Sequence, residues 1–197
     1  MNLILPTPEQ LQTAYERDLI PAFPQAELKP LRVIQTLWDR GDYLPYCLFD
    51  GARLAGECFI WKGKPGWALL DYLCVPASQR GRGVGAGMIG RLLDAQPDTV
   101  ILGEAEAVRH APDPEMAQRR LNFYRRTGVR FAGFDSEMFG MHYRIFYWAP
   151  APVSDEALRR EYEALYRRAF AADTYEKYVH VPWDPERAPG AAVPWDQ

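Results

Sequence analysis

The sharpest chemical feature of the sequence is Gln79-Arg80-Gly81-Arg82-Gly83-Val84-Gly85, set between an apolar strand, Trp67 to Val75, and the start of a helix. Glycines there let the backbone approach a ligand with its N–H groups pointing outward. The helix start adds partial positive charge, and Arg80 and Arg82 add more. That combination suits a phosphate, most naturally a pyrophosphate. A second feature is the strand Thr99 to Glu106, where Val100, Leu102, Glu104 and Glu106 alternate on one face. Two carboxylates thus continue an apolar face. They could sit in water at the end of the strand, take a proton from a reacting group or attract a cationic ligand. A third is the helix Met116 to Thr127, stopped by Gly128. Its Tyr124 carries a hydroxyl on a rigid ring and can donate a proton. Ala117, Leu121 and Tyr124 share a helix face, so the spacing fits a core role for Tyr124 equally well. Arg119, Arg120, Arg125 and Arg126, with Arg130 beyond the helix, read as a solvated face or as contacts to phosphates.

Other reactive side chains give weaker signals. Asp71 is expected to face with Leu69, Leu73 and Val75, where a carboxylate is costly unless paired. Glu57 reads as exposed. His110, His142 and His180 are scattered, and Cys47, Cys58 and Cys74 form no CxxC pair, so no metal site is expected. The three cysteines read as reduced core residues.

The loop has competing nucleotide readings. Gly81-x-Gly83-x-x-Ala86 formally fits the dinucleotide pattern. That pattern needs a parallel βαβ unit, whereas the loop here follows an antiparallel meander. The Walker pattern fails because no Lys-Ser/Thr pair closes the loop.

The elements that must position these residues follow from the changes of period. Thr7-Pro8-Glu9 opens a first helix that Pro21 and Pro24 end, and Leu31, Ile34, Leu37 and Trp38 mark a second. Two strands joined at Asp50-Gly51 and a third from Trp67 make an antiparallel meander. After the loop come the helix of Val84, Met88, Ile89 and Leu92, the acidic strand, the tyrosine helix, and a strand pair at Val129 to Phe134 and Tyr143 to Trp148. The order αα-βββ-α-β-α-ββ makes an α+β chain with one mixed sheet. Pro150-Ala151-Pro152 marks a boundary, giving a domain over 1–149 and an extension over 150–197. In the extension a helix bears Leu158, Tyr162, Leu165 and Ala169. It packs on its own domain or on a second subunit, so monomer and homodimer both stand. An extended tail follows from Tyr175, and its Trp183 and Trp195 are positioned to cover an acceptor pocket.

Composition limits the function. The 197 residues carry a formal charge of -3, and 48% are hydrophobic. That is enough for one sizeable core, and the slight acidity argues against a nucleic-acid binder. No run approaches the ~18 apolar residues of a membrane span. Residues 1–20 lack a basic start followed by an apolar run, so the cytoplasm is the expected compartment.

Arg80-x-x-Gly83-x-Gly85, after Leu73-x-Val75-x-Ala77, resembles the acetyl-CoA signature of the GNAT superfamily of N-acetyltransferases. The element order over roughly 1–148 is similar to that fold, and the segment beyond Pro150 lies outside the resemblance. The resemblance implies that the amides of Arg80, Gly81, Arg82, Gly83, Val84 and Gly85 hold the CoA pyrophosphate. It implies that the backbone of Leu73 and Val75 pairs with the pantetheine arm between splayed strands, and that an amide near Leu73 holds the oxyanion. Tyr124, four residues before the closing Gly128, becomes the acid for the departing thiolate. Glu104 or Glu106 becomes the base for a small-molecule or peptide amine that attacks acetyl-CoA directly. The family often has an Asn near the start of the tyrosine helix, where this chain has Ala117. That departure keeps a second reading in play, a non-catalytic CoA-binding sensor or partner module.

Overall fold

The computed structural model describes residues 1–195; Asp196 and Gln197, the end of the expected extension, lie outside the described residues. The elements in chain order are β1 (Asn2–Ile4), α1 (Pro8–Ala14), α2 (Ile20–Ala22), α3 (Leu31–Asp39), β2 (Tyr43–Asp50), β3 (Arg53–Lys62), β4 (Trp67–Cys74), α4 (Val84–Ala95), β5 (Val100–Glu106), α5 (Pro114–Arg126), β6 (Arg130–Met138), β7 (Met141–Trp148), α6 (Asp155–Ala169), α7 (Ala172–Tyr178) and β8 (Val179–His180). Capping residues set several starts. The Thr7 hydroxyl accepts from the Gln10 N–H in a reciprocal capping box, with Pro8 in the first turn. The side chains of Asp113 and Ser154 cap α5 and α6 by accepting from the Met116 and Ala157 N–H groups.

One eight-stranded sheet runs β1-β2-β3-β4-β5-β7-β6-β8. The β4–β5 pair is parallel, and every other neighbouring pair is antiparallel. The α+β expectation is met in this sheet. One face carries a core with Leu11, Ile34, Phe59, Tyr72, Leu102, Ile145, Leu158, Tyr162 and Tyr166. The other packs Met88, Ile89 and Leu92 of α4 and Leu121 of α5 against Ile60, Leu70, Ile101 and Phe146. α6 thus shares a core with the central strands. Among the described residues no helix is long and apolar enough to cross a membrane.

Several expectations need correction. The first helix does not run evenly to Pro21. It widens into a five-residue π turn at Tyr15–Leu19, and Pro21 lies inside α2. Pro21 removes one helical N–H donor directly after the widened turn, and the helix ends within two residues. The final strand pair is longer than its apolar cores, since β6 continues through Asp135-Ser136-Glu137 to Met138. The tail is helical through Tyr178 and then adds β8 to the sheet edge beside β6. The edge strand β1 carries too few residues to show a period.

Two faces also differ from expectation. β4 has a bulge. Tyr72 pairs with Phe59 and Leu70 with Ile60, so Asp71 is the extra residue. The bulge shifts the alternation by one. Leu69, Tyr72 and Cys74 face one core, and Leu73 and Val75 turn toward the α4 side. Asp71 therefore does not share a face with Leu73 and Val75. Glu57 is fully buried rather than exposed, because helical residues near Asp18 cover that side of β3. Cys47, Cys58 and Cys74 are free and buried.

Candidate active site

The parting of β4 and β5 creates the site. Their pairing runs from Trp67 opposite Val100 to Leu70 opposite Gly103. Beyond that register, Asp71 bulges out and the residues after it keep a β3 partner on one edge only. A cavity of about 860 Å³ opens there. Leu73, Val75, Arg80, Gly81, Gly83, Val84, Gly85, Glu104, Glu106 and Tyr124 all line it. Arg82, the remaining expected ligand residue, lies on the exposed side of the loop and outside the lining.

One end of the cavity is the glycine loop. Gly83 sits at φ +76 as the N-cap of α4 and offers no side-chain cap. That backbone region favours glycine, and the first-turn amides of α4 are left for an outside acceptor. Gly85 must also stay small: a Cβ there would meet the Phe123 ring at 3.1 Å and Val75 at 3.5 Å. The Arg80 Nε donates to the Val75 carbonyl at 2.9 Å, which ties the loop to the end of β4.

Tyr124 lies beside this end. Its ring packs on Phe146 with centroids 4.2 Å apart and touches Phe123 and Trp148. The apolar stacking fixes the ring, and among the described residues its hydroxyl has no hydrogen-bond partner. Burial pushes the phenol well above its ordinary value, so it stays protonated.

Carboxylates gather at the other end, each with a partner. Asp71 receives Lys29 Nζ at 2.7 Å and the Tyr43 hydroxyl, and both ions of the pair are almost fully buried. The Tyr143 hydroxyl donates to Glu27 at 3.0 Å. Glu106 lies 3.5 Å from Arg120. Glu104 is the most constrained. Tyr162 and Tyr166, one turn apart on α6, donate to its Oε1 at 2.5 and 2.8 Å. Ser136 contacts the Tyr162 hydroxyl at 2.8 Å. Burial raises the Glu104 carboxyl to about 7, and the two phenols pull against that rise. The alternation of Leu102, Glu104 and Glu106 placed these carboxylates on one face, both line the cavity, and their partners differ. Glu104 accepts two phenols, and Glu106 lies beside a guanidinium.

Several of these contacts have no local signal in the sequence. Lys29 arrives from a loop, held by its own N–H to the Tyr72 hydroxyl at 2.8 Å. The Tyr72 hydroxyl in turn donates to the Glu27 carbonyl at 2.8 Å. The Lys29 ammonium lies over Trp61, Tyr72 and Trp195 at 4.8, 5.6 and 4.6 Å from the ring centres. Trp195 lines the cavity, while Trp183 lies elsewhere, stacked on His142 at 3.8 Å. The histidines are not all scattered: His110 and His142 lie 5.3 Å apart against Trp183, because β7 meets the turn after β5. Among the described residues no group of three or more His, Cys, Asp or Glu is placed to hold a metal.

No family model and no curated protein matches the sequence. Solved structures do match the fold. A Bacteroides thetaiotaomicron protein assigned to the GNAT family of acetyltransferases superposes with a TM-score of 0.67 at 21% identity, covering 85% of this chain and 95% of that one. The ribosomal-protein-S18-alanine N-acetyltransferase of Escherichia coli gives 0.59 at 14% identity, over 78% and 96%. A Bacillus subtilis acetyltransferase solved in complex with CoA gives 0.55 at 14% identity, over 75% and 96%. This chain has the fold of the GNAT acetyltransferases.

Proposed function

We propose that the chain is a GNAT-family N-acetyltransferase, working in the cytoplasm, that moves an acetyl group from acetyl-CoA to a primary amine by direct attack. One observation carries this reading: a single cavity at the parting of β4 and β5 is lined by an uncapped, glycine-led helix N-terminus, the Tyr124 phenol and the phenol-held carboxylate of Glu104. The residues present fit CoA. The first-turn amides of α4, with Arg80, suit its pyrophosphate, and Gly81 and Gly83 leave room for close approach. Arg82 is exposed on the same loop, and its backbone amide is offered to the pyrophosphate alongside its neighbours. The unpaired edge of β4 around Leu73 and Val75 suits the amides of the pantetheine arm.

The amine reaches the cavity as an ammonium and passes one proton to Glu104, directly or through water. Its lone pair attacks the thioester carbon, and a β4 amide near Leu73 stabilises the oxygen as charge develops. The C–S bond breaks, and the Tyr124 hydroxyl gives its proton to the departing thiolate. As the amide forms, the attacking nitrogen loses its second proton through water to the Tyr124 phenolate, and the proton held by Glu104 returns to solvent. Glu106 lies beside Arg120, and Glu104, whose Oε2 has no protein partner among the described residues, is the base in this reading. Residues 150–195 belong to the same working unit, because α6 supplies the two phenols that hold Glu104.

Calorimetric titration of the purified chain with acetyl-CoA, with NADH as control, tests the cofactor end. Micromolar binding of acetyl-CoA alone supports the reading, and no binding overturns it. Binding without transfer to any amine would favour a non-catalytic CoA-binding module, the alternative that Ala117 in place of the family's Asn keeps open.

A further inference from the structure

We propose that the acceptor is a monoamine with an apolar or aromatic body, and that the site discriminates against polyamines. The inference rests on the transfer reading above and concerns the half of the cavity away from the glycine loop. That half is rich in carboxylates, which at first suggests a polycation. Their partners argue otherwise. Asp71 is neutralised by Lys29, and Glu106 faces Arg120. Glu27 is raised above the ordinary carboxylate range by burial and accepts the Tyr143 hydroxyl. Glu104 accepts two phenols and has one oxygen, Oε2, without a protein partner among the described residues. Arg119 also lines the cavity. The wall therefore offers one acidic group for one ammonium, and a second ammonium would be buried against compensated charges, which is costly.

The aromatic residues give the same answer. A cage of Trp61, Tyr72 and Trp195 beside a carboxylate is what a second cationic head would need. Here Lys29 already fills it from within the chain. The lining also carries apolar and aromatic side chains, Phe23, Tyr143, Met116 and Met138 among them. Phe23 stands edge-on to Tyr72 at 5.0 Å and comes from the loop that also places Glu27 and Lys29. An aryl or branched alkyl body would bury against these walls, with its amine at Glu104.

The test uses the full chain with acetyl-CoA and compares 2-phenylethylamine, ethylamine and spermidine by release of the CoA thiol. The CoA-loaded protein is titrated with the same amines in parallel. The expected result is a kcat/KM for 2-phenylethylamine about tenfold or more above that for spermidine. Phe23→Ala should lower the preference for 2-phenylethylamine over ethylamine several-fold, read as the ratio of their kcat/KM values in the same variant. Spermidine turned over as well as or better than 2-phenylethylamine overturns the proposal, as does an unchanged preference in Phe23→Ala. If no amine is acetylated but 2-phenylethylamine binds and spermidine does not, the acceptor class stands and the transfer reading falls. If acetyl-CoA binds and neither amine binds or reacts, the acceptor class is overturned.

Discussion

Replacing Tyr162 by Phe removes one of the two phenols that hold Glu104 and leaves the ring packing on Phe134 and Tyr166 in place. Both phenols favour the charged carboxylate, so losing one raises the Glu104 pKa further. A hydrogen bond to a charged group contributes about 1.5–3 kcal/mol. At about 1.4 kcal/mol per pH unit, that is a shift of roughly one to two units. The base must be ionised to act, so kcat/KM of the wild type should rise with pH through about 7. In Tyr162→Phe the rise should move up by about a unit or more, and at pH 7 activity should fall about fivefold or more. At high pH the variant should recover, because the base is then ionised in both proteins. The acceptor titrates identically in the two series, so its own pKa cancels in the comparison. Ser136 loses its partner too, at about 1 kcal/mol of stability, which denaturant melts measure separately. An unmoved midpoint, or an equal loss at every pH, would show that the phenols only pack and do not set the base.

Other outcomes follow from the same contacts. Tyr124→Phe should lower kcat about a hundredfold and leave acetyl-CoA binding intact by calorimetry; full turnover would remove Tyr124 from the mechanism. Lys29→Met strands Asp71 in the interior with the Tyr43 hydroxyl alone, and should cost about 3–5 kcal/mol in urea unfolding; a loss under about 1 kcal/mol would show that Asp71 is rehydrated. Glu57, raised to about 9 by burial and by Asp18, stays protonated in the fold while the unfolded chain ionises from about 4.5 upward. It therefore lowers stability by about 1.4 kcal/mol per pH unit between those values and adds no slope above about 9. Glu57→Gln should remove that slope from melts at pH 6, 7 and 8; an identical slope in both proteins would refute the assignment.

The parts of the site that were legible are those in which one element carries its own period. β5 keeps an unbroken alternation, so Leu102, Glu104 and Glu106 fell on the expected face. The glycine loop was legible because φ near +75 at Gly81 and Gly83 demands that residue type locally. β4 hid its geometry. A single bulged residue, Asp71, reverses the faces on its two sides, and no local pattern marks a bulge whose extra residue is paired from a distant loop. Glu57 read as exposed because strand alternation assumes one solvated face, whereas this sheet is covered on both. The phenol pair on Glu104 joins positions 58 and 62 residues apart, a contact set by how α6 lies on the sheet. His110 and His142 meet for the same kind of reason. Tertiary packing decided each of these, and local propensity carries no information about it.

The most direct test of the account is acetyl transfer itself in wild type and Glu104→Gln, with acetyl-CoA and 2-phenylethylamine at pH 8 and the N-acetylated amine detected by mass spectrometry. The account predicts acetylated product with the wild type, a loss of about a hundredfold or more in Glu104→Gln, and equal acetyl-CoA binding by the two proteins. Equal product formation in the two would contradict the assignment of the base. No product from a wild type that binds acetyl-CoA would contradict the transfer of acetyl to such an amine.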